Sequence, residues 1–502
     1  MAQTRASGLS DTRVKELLAT LRRLRSLGGE VRTRGLSDEI VERFLGLDPA
    51  LATSVERAEA TRETVEAHHP DVLAMGETDQ IRTIQASIVN FYGRDAVNPY
   101  VPLAACGPWV VTSRGAVIHD SGGYGMLGQG HTPSAVLEVL GRPQVMANVM
   151  TAQFSQLGLI RRLRGEVGQT RGGTCPYTGF LFMNSGSEAV AVAARLSDAN
   201  AKDRTDPGGA HAGKPIKHLA LAGGFHGRTQ RPAHFSDSTR TGYEAHLATF
   251  RDRSDFLTVE PNDVDGLRET FDRADAEGFF IEAVFVEPVM GEGNPGLAMT
   301  REFYDEARAL TAAHGSLLLV DSIQAGLRAY GVLSVIDYPG FQGCEPPDME
   351  TWSKALNAGQ YPMSVLAMRP GTVDLFRPGL YGNTMTAAPR ALDVASTVLD
   401  VLTPQLRANI RERGKEFLAR MGRVAEELAG RITRVQGTGL LMSCALDPER
   451  YRAHGKGSTE EYLRERGLGV IHGGPNSLRF TPHFAVTSEE IGLIVDGVRD
   501  AL

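Results

Sequence analysis

The sequence predicts an α/β protein: a largely parallel sheet covered by helices, preceded by a helical N-terminal stretch and closed by a smaller α/β unit. From about residue 97 onward, apolar runs of strand length alternate with segments of helical period, the pattern of a sheet with helical crossovers. Before that point the apolar periodicity is helical only. The chain has 502 residues, more than one hydrophobic core usually covers, so two domains with appendages is the expected organisation.

The elements follow in order. Val14, Leu17, Leu18, Leu21 and Leu24 recur at helical spacing after Ser10, which can cap the helix, and Ser37 can cap a second helix carrying Ile40, Phe44 and Leu45. Residues 1–95 thus form a helical extension without recognisable chemistry, packed on the body or on a second subunit. Gly179-Phe-Leu-Phe-Met183 reads as a strand and 189–201 as the helix after it. Ala283-Val-Phe-Val286 is a second strand, ending at Glu287-Pro288. The next helix carries Phe303, Ala307 and Leu310, with Thr300 as cap and Gly315 as stop. Residues 316–320 form a third strand that ends in Asp321. Past Pro389 a long helix reads through Leu392, Ala395, Leu399 and Leu402. The last 70 or so residues form the smaller unit, closed by a helix with the capping box Thr487-Ser-Glu-Glu490.

Composition excludes several classes. The chain is 42% hydrophobic and 23% charged, with a net charge of −7, whereas a nucleic-acid binder would concentrate basic residues on one face. The longest apolar runs are strand-sized, too short to span a bilayer. The N-terminus lacks an apolar signal core and carries Asp11 and Glu16, which predicts a cytoplasmic protein. Cys106, Cys175, Cys344 and Cys444 show no C-x-x-C spacing and read as reduced thiols, and no histidine pair has the spacing of a zinc helix, so no metal is expected. His68 and His69 read as surface residues. Gly208-x4-Gly213-Lys214 imitates a phosphate-binding loop, but Pro215 stands where a magnesium-holding Ser or Thr belongs and no strand precedes it.

Three segments carry candidate chemistry. Asn184-Ser-Gly-Ser-Glu188 lies between an apolar strand and an Ala/Val-rich helix, where backbone N–H groups and the helix dipole attract an anion. Such a turn also needs Gly and Ser for steric reasons alone. Asp321 ends a strand, where ligands of open α/β sheets bind, although a carboxylate there can also cap a neighbouring helix. Lys354, flanked by Trp352 and Leu356, is poorly solvated, which depresses an amine's pKa and makes it nucleophilic; the alternative is a lysine that snorkels to solvent.

Taken in order, the turn at 184–188, Gly224-Phe-His-Gly-Arg228, Glu287-Pro288, Asp321-Ser-Ile-Gln324, Ser353-Lys354 and Gly382-Asn-Thr384 resemble the class III (ω-type) aminotransferases of fold type I, pyridoxal-phosphate enzymes. The resemblance covers roughly residues 97–502, including Gly130-His-Thr-Pro133. It implies a large domain with a mostly parallel seven-stranded sheet over 146–388, and a small domain built from 96–145 and 389–502. It also implies a homodimer with shared active sites. Ser185, Gly186 and Ser187 would bind the cofactor phosphate, joined by Thr384 from the partner subunit. Phe225 would stack on the pyridine ring beside His226, and Ile323 would pack on the other face. Asp321 would hold the ring nitrogen, Gln324 the ring hydroxyl, Glu287 would belong to the same site, and Lys354 would carry the internal aldimine and act as general base.

Leu478-Arg479-Phe-Thr-Pro482 resembles the segment whose arginine grips a substrate carboxylate, and Glu292 matches the glutamate that neutralises this arginine in ornithine and 4-aminobutyrate aminotransferases. The pair would admit an ω-amine donor and then a keto acid such as 2-oxoglutarate. Departures from the family pattern are Ser322 after Asp321 where Glu is usual, Ala325-Gly-Leu-Arg328, Met385, Ala387-Ala388 and the long extension. They leave open a racemase or decarboxylase on the same scaffold. A non-catalytic relative is the remaining alternative, against which both Lys354 and Asp321 stand.

Overall fold

The computed structural model describes residues 8–93, 96–252 and 254–502. Among the described residues, fifteen strands are numbered along the chain. The first three are β1 (Pro102–Cys106), β2 (Trp109–Thr112) and β3 (Val117–Asp120). Seven follow: β4 (Gly179–Met183), β5 (Ile216–Leu221), β6 (Phe256–Val259), β7 (Phe280–Val286), β8 (Leu317–Asp321), β9 (Met349–Trp352) and β10 (Ser364–Met368). The last five are β11 (Ile432–Thr438), β12 (Leu441–Leu446), β13 (Leu468–Gly469), β14 (Ile471–Gly473) and β15 (Ser477–Phe480).

The central sheet has seven strands in the order β4-β10-β9-β8-β7-β5-β6. β5, β6, β7, β8 and β9 pair in parallel, and β10 runs antiparallel between β4 and β9. Every residue of β7 and of β8 is buried, as expected for parallel strands with helices on both faces. Two four-stranded sheets flank it: β1-β2-β3-β13, in which β13 joins parallel to β3, and the antiparallel β11-β12-β15-β14. The smaller unit therefore combines chain segments from both sides of the central sheet.

Local signals set most boundaries. Helix Gly186–Thr205 starts at the Ser185 cap, and helix Arg301–His314 runs between the Thr300 cap and Gly315, which adopts φ +78°. Helix Ser488–Ala501 has the complete capping box. The helix after Pro389 stops at Asp400, so Leu402, expected within it, belongs to the turn before helix Pro404–Glu427.

The extension packs on the body of its own chain. Helix Pro49–His68 packs on β1 and β2, and helices Asp11–Ser26 and Asp38–Leu47 pack on it, so that Leu21, Phe44, Leu51 and Val55 are buried in one cluster with Trp109. Each such side chain contributes about 1.5–3 kcal/mol of transfer free energy. Phe44 lies 4.9 Å from the Trp109 ring, whose indole N–H donates to Asp48 at 2.7 Å. The last α-helix before β1 is Glu77–Ile84 among the described residues. Among the described residues, no helix is long and apolar enough to cross a membrane.

Candidate active site

The carboxyl ends of the parallel strands open on a cavity of about 390 Å³, within the range of cofactor pockets. It is not the most voluminous space in the molecule; its chemistry distinguishes it. β4 leads through Asn184 and Ser185 into helix Gly186–Thr205, so the first N–H groups of a 20-residue helix point at the cavity. A Cβ at Gly186 would stand 2.7 Å from Ile323 Cδ1, so any larger residue would press on the Ile323 side chain, where this turn and the Asp321–Gln324 turn meet.

β5 ends in the loop that carries Phe225 and His226. Glu287, at the end of β7, braces that loop: one carboxylate oxygen accepts the Phe225 N–H and the other the Gly291 N–H, both at 2.9 Å. Burial, with the nearby Asp321 charge adding to it, pushes Glu287 up to about 7 against the opposing pull of His226 and these N–H groups. Asp321, at the end of β8, is oriented by three donors: His226 Nδ1 at 2.9 Å, the Ile323 N–H at 3.1 Å and Thr351 Oγ1 at 3.2 Å. Thr351 lies opposite Asp321 in the β8–β9 register.

Lys354 follows β9 in a short 3-10 turn with φ +43°, a left-handed conformation uncommon for a residue with a side chain. Its Nζ donates to Gln324 Oε1. Burial, reinforced by the Arg479 charge, lowers the amine from 10.5 to about 8, while Glu292, Asp321 and Glu287 pull the other way. Arg479 on β15 bonds the Gly291 carbonyl and Glu292, the latter at 2.8 Å. Burial raises the Glu292 carboxyl, but the Arg479 and Lys354 charges outweigh it and hold Glu292 below its ordinary value.

Ser185, Gly186, Ser187, Phe225, His226, Glu287, Glu292, Asp321, Ile323, Gln324, Lys354 and Arg479 all line this cavity, although they span almost 300 positions of sequence. Thr384 does not. It is exposed, its carbonyl accepting from Asn148, in a segment tied to Glu188 by Tyr381 and by Asn383 at 2.8 Å. Sequence reasoning missed Met126, Tyr361 and Asn357 in the wall, and Thr351 and Glu188 as braces. Glu188 closes the Asn184–Glu188 turn and Thr351 and Asn357 stand three residues either side of Lys354; nothing in the local sequence marks Met126 or Tyr361.

A phosphorylated pyridine aldehyde fits these residues. The helix N-terminus suits the phosphate and Asp321 a protonated ring nitrogen. Gln324 Nε2, buried and without a partner, is a free donor for a ring oxygen, and Lys354 supplies the amine.

Comparison with known proteins agrees with this chemistry. Residues 92–502 match the family described as aminotransferase class-III. The acetylornithine aminotransferase of Neisseria meningitidis serogroup B is 28% identical over 403 residues, covering 79% of this chain and 92% of the relative. The ornithine aminotransferase of Staphylococcus epidermidis is 28% identical over 432 residues, covering 83% and 99%. Among solved structures, the ornithine aminotransferase of Toxoplasma gondii superposes with a TM-score of 0.72 at 23% identity, covering 87% of this chain and 97% of its own, a likeness of fold.

Proposed function

Because the chain belongs to the class-III aminotransferase family, we propose that the strand-end cavity is its transamination site and that Lys354 is the residue holding the cofactor. The enzyme is a pyridoxal-phosphate-dependent aminotransferase, which exchanges an amino group between an amino acid and a keto acid. The donor proposed for this chain is an amino acid with an ω-amine, the class to which ornithine belongs, and the acceptor is 2-oxoglutarate.

The Arg479–Glu292 pair carries this reading. With Glu292 engaged, the arginine is neutralised and the pocket takes a neutral aliphatic chain ending in an amine. With Glu292 swung away, the guanidinium offers a two-pronged grip to a carboxylate. When bound, the cofactor supplies the electron sink for the carbanion formed at the amine-bearing carbon. Asp321, fixed by its three donors, keeps a proton at the ring nitrogen. Ser185, Gly186 and Ser187 would anchor the phosphate at the helix N-terminus, and Phe225 and Ile323 would cover the ring. Lys354 Nζ, with its lowered pKa, takes the substrate proton and returns it.

The same reading includes a homodimer in which Thr384 reaches the partner's phosphate. Its exposure supports this, as do Met150 at 87% and Phe154 at 90%, apolar side chains that one chain leaves uncovered. A cytoplasmic setting is proposed on the four unpaired cysteines. The division into 1–95, 96–145, 146–388 and 389–502 is likewise part of the proposal.

The test is a visible absorbance titration of the cofactor-loaded enzyme. A diamino acid is expected to bleach the band and 2-oxoglutarate to restore it. A band that shifts with amines but never bleaches would overturn the proposed donor and acceptor.

A further inference from the structure

A second constellation of ligand-type side chains lies away from the active site, beneath the N-terminal helices. Among the described residues, His119, His483 and Glu490 bring two imidazole nitrogens and a carboxylate oxygen within 4.8 Å of one another. His119 Nε2 stands 3.0 Å and His483 Nε2 2.8 Å from the same oxygen, Glu490 Oε1. His119 is fully buried and Glu490 is 3% exposed. We propose that these three atoms form a binding site for one divalent first-row transition ion of zinc's class, independent of the transamination chemistry.

Three features favour an ion. First, two of the three donors are aimed by a further contact. Glu490 Oε2 is occupied by the Thr487 N–H at 2.7 Å and its hydroxyl at 2.8 Å, the capping box of the last helix, which leaves Oε1 to face the histidines. His119 Nδ1 is 2.9 Å from Ser121 Oγ, the outer contact that orients a metal-bound imidazole. Second, the charge is unbalanced. With neutral imidazoles the buried Glu490 carboxylate has no cationic partner, and Asp48 and Glu489 face the same cavity. Arg413, also in its wall, is committed to Glu416. A divalent ion satisfies a buried anion that neutral donors leave uncompensated, and two nitrogens with one carboxylate oxygen suit zinc. Third, there is access: His483 and Glu490 line a cavity of about 630 Å³, so an ion can enter and take water as a further ligand.

The three donors come from β3, from the loop after β15 and from the last helix, under Phe44 and Leu47 of the extension. A bound ion would staple the chain's C-terminal helix to the sheet on which the extension rests. The competing description is a proton on His483 meeting the same charge deficit, and the experiment separates the two.

The cofactor-loaded enzyme, produced without a histidine tag and stripped with a chelator, is titrated with zinc ions alone. Bound metal is measured by plasma mass spectrometry and the melting temperature is followed. One zinc per chain with a raised melting temperature is expected. His483→Gln, at the cavity surface, and Glu490→Gln should each weaken binding by more than the roughly 10–100-fold that loss of an outer contact costs a metal site, while the visible cofactor band persists. If the wild type takes up no zinc, or if His483→Gln binds as much as the wild type (as exposed sites such as His68 and His69 would), the proposal fails. Should Glu490→Gln not fold for want of its cap, His483→Gln carries the test alone.

Discussion

A single amine illustrates how burial is turned into reactivity. Lys354 is held with positive φ at a strand end, bonded to Gln324 and depressed to about 8 by burial and Arg479. The sign of the consequence follows. Because the neutral amine is the nucleophile, capture of the cofactor by the stripped protein should accelerate as pH rises and level off above a midpoint of about 8. A midpoint near the ordinary lysine value of 10.5 would contradict the assignment. The same residue sets a stability cost: the folded chain carries a buried cation below pH 8, and that cost is relieved between 8 and 10.5, where the unfolded chain holds more protons. Lys354→Ala is expected to abolish turnover; near-normal activity would remove Lys354 from the mechanism.

Among elements, helix Gly186–Thr205 does two jobs with one terminus: it is capped by Ser185 and presents its N–H groups to the cavity. Helix Arg301–His314 has an equivalent cap in Thr300 but packs on β7 and β8 and lines no part of the cavity. Ser185→Ala and Thr300→Ala should each cost about 1 kcal/mol, read as a lower melting temperature. Only Ser185→Ala should also weaken cofactor retention, measured by the visible band after dialysis. Equal retention in both variants would confine Ser185 to capping. Gly186 is constrained from a distance, by Ile323, which is why the glycine, the turn and the aspartate turn form one unit.

At the scale of the whole molecule, the described residues form three sheets with helices packed on them. The smaller unit is drawn from both ends of the chain, with β13 closing the sheet begun by β1–β3. The extension seals that sheet through Phe44, Trp109 and Asp48, so residues without chemistry of their own supply stability. The apolar surface around Met150 and Phe154, with Thr384 facing outward, belongs to this scale too. Sedimentation of the cofactor-loaded protein should give twice the 54.1 kDa chain mass, and Thr384→Ala should loosen the cofactor without dissociating the dimer. An active monomer at high dilution would refute the shared site.

Much of this was legible locally. Period, caps and turn residues mark helix Arg301–His314, the capping box at Thr487 and strand Gly179–Met183, because those signals act within a few residues of the backbone they shape. The order of motifs from Asn184 to Arg479 indicated the cofactor through its resemblance to the class III aminotransferases, and a sheet of parallel strands brings their carboxyl ends to one edge. Contacts between distant segments were not legible. Thr351 orients Asp321 only through strand register, and Glu287 spends its carboxylate on two backbone N–H groups. The His119, His483 and Glu490 cluster has no spacing to read, its members being up to 371 positions apart. Sequence by itself determined the fold class and the caps and stops of several helices and, through the family resemblance, the cofactor. Only the tertiary structure decided where the extension packs, how Asp321 is held and which buried charges meet, because those follow from side chains that come within reach only when the chain is packed.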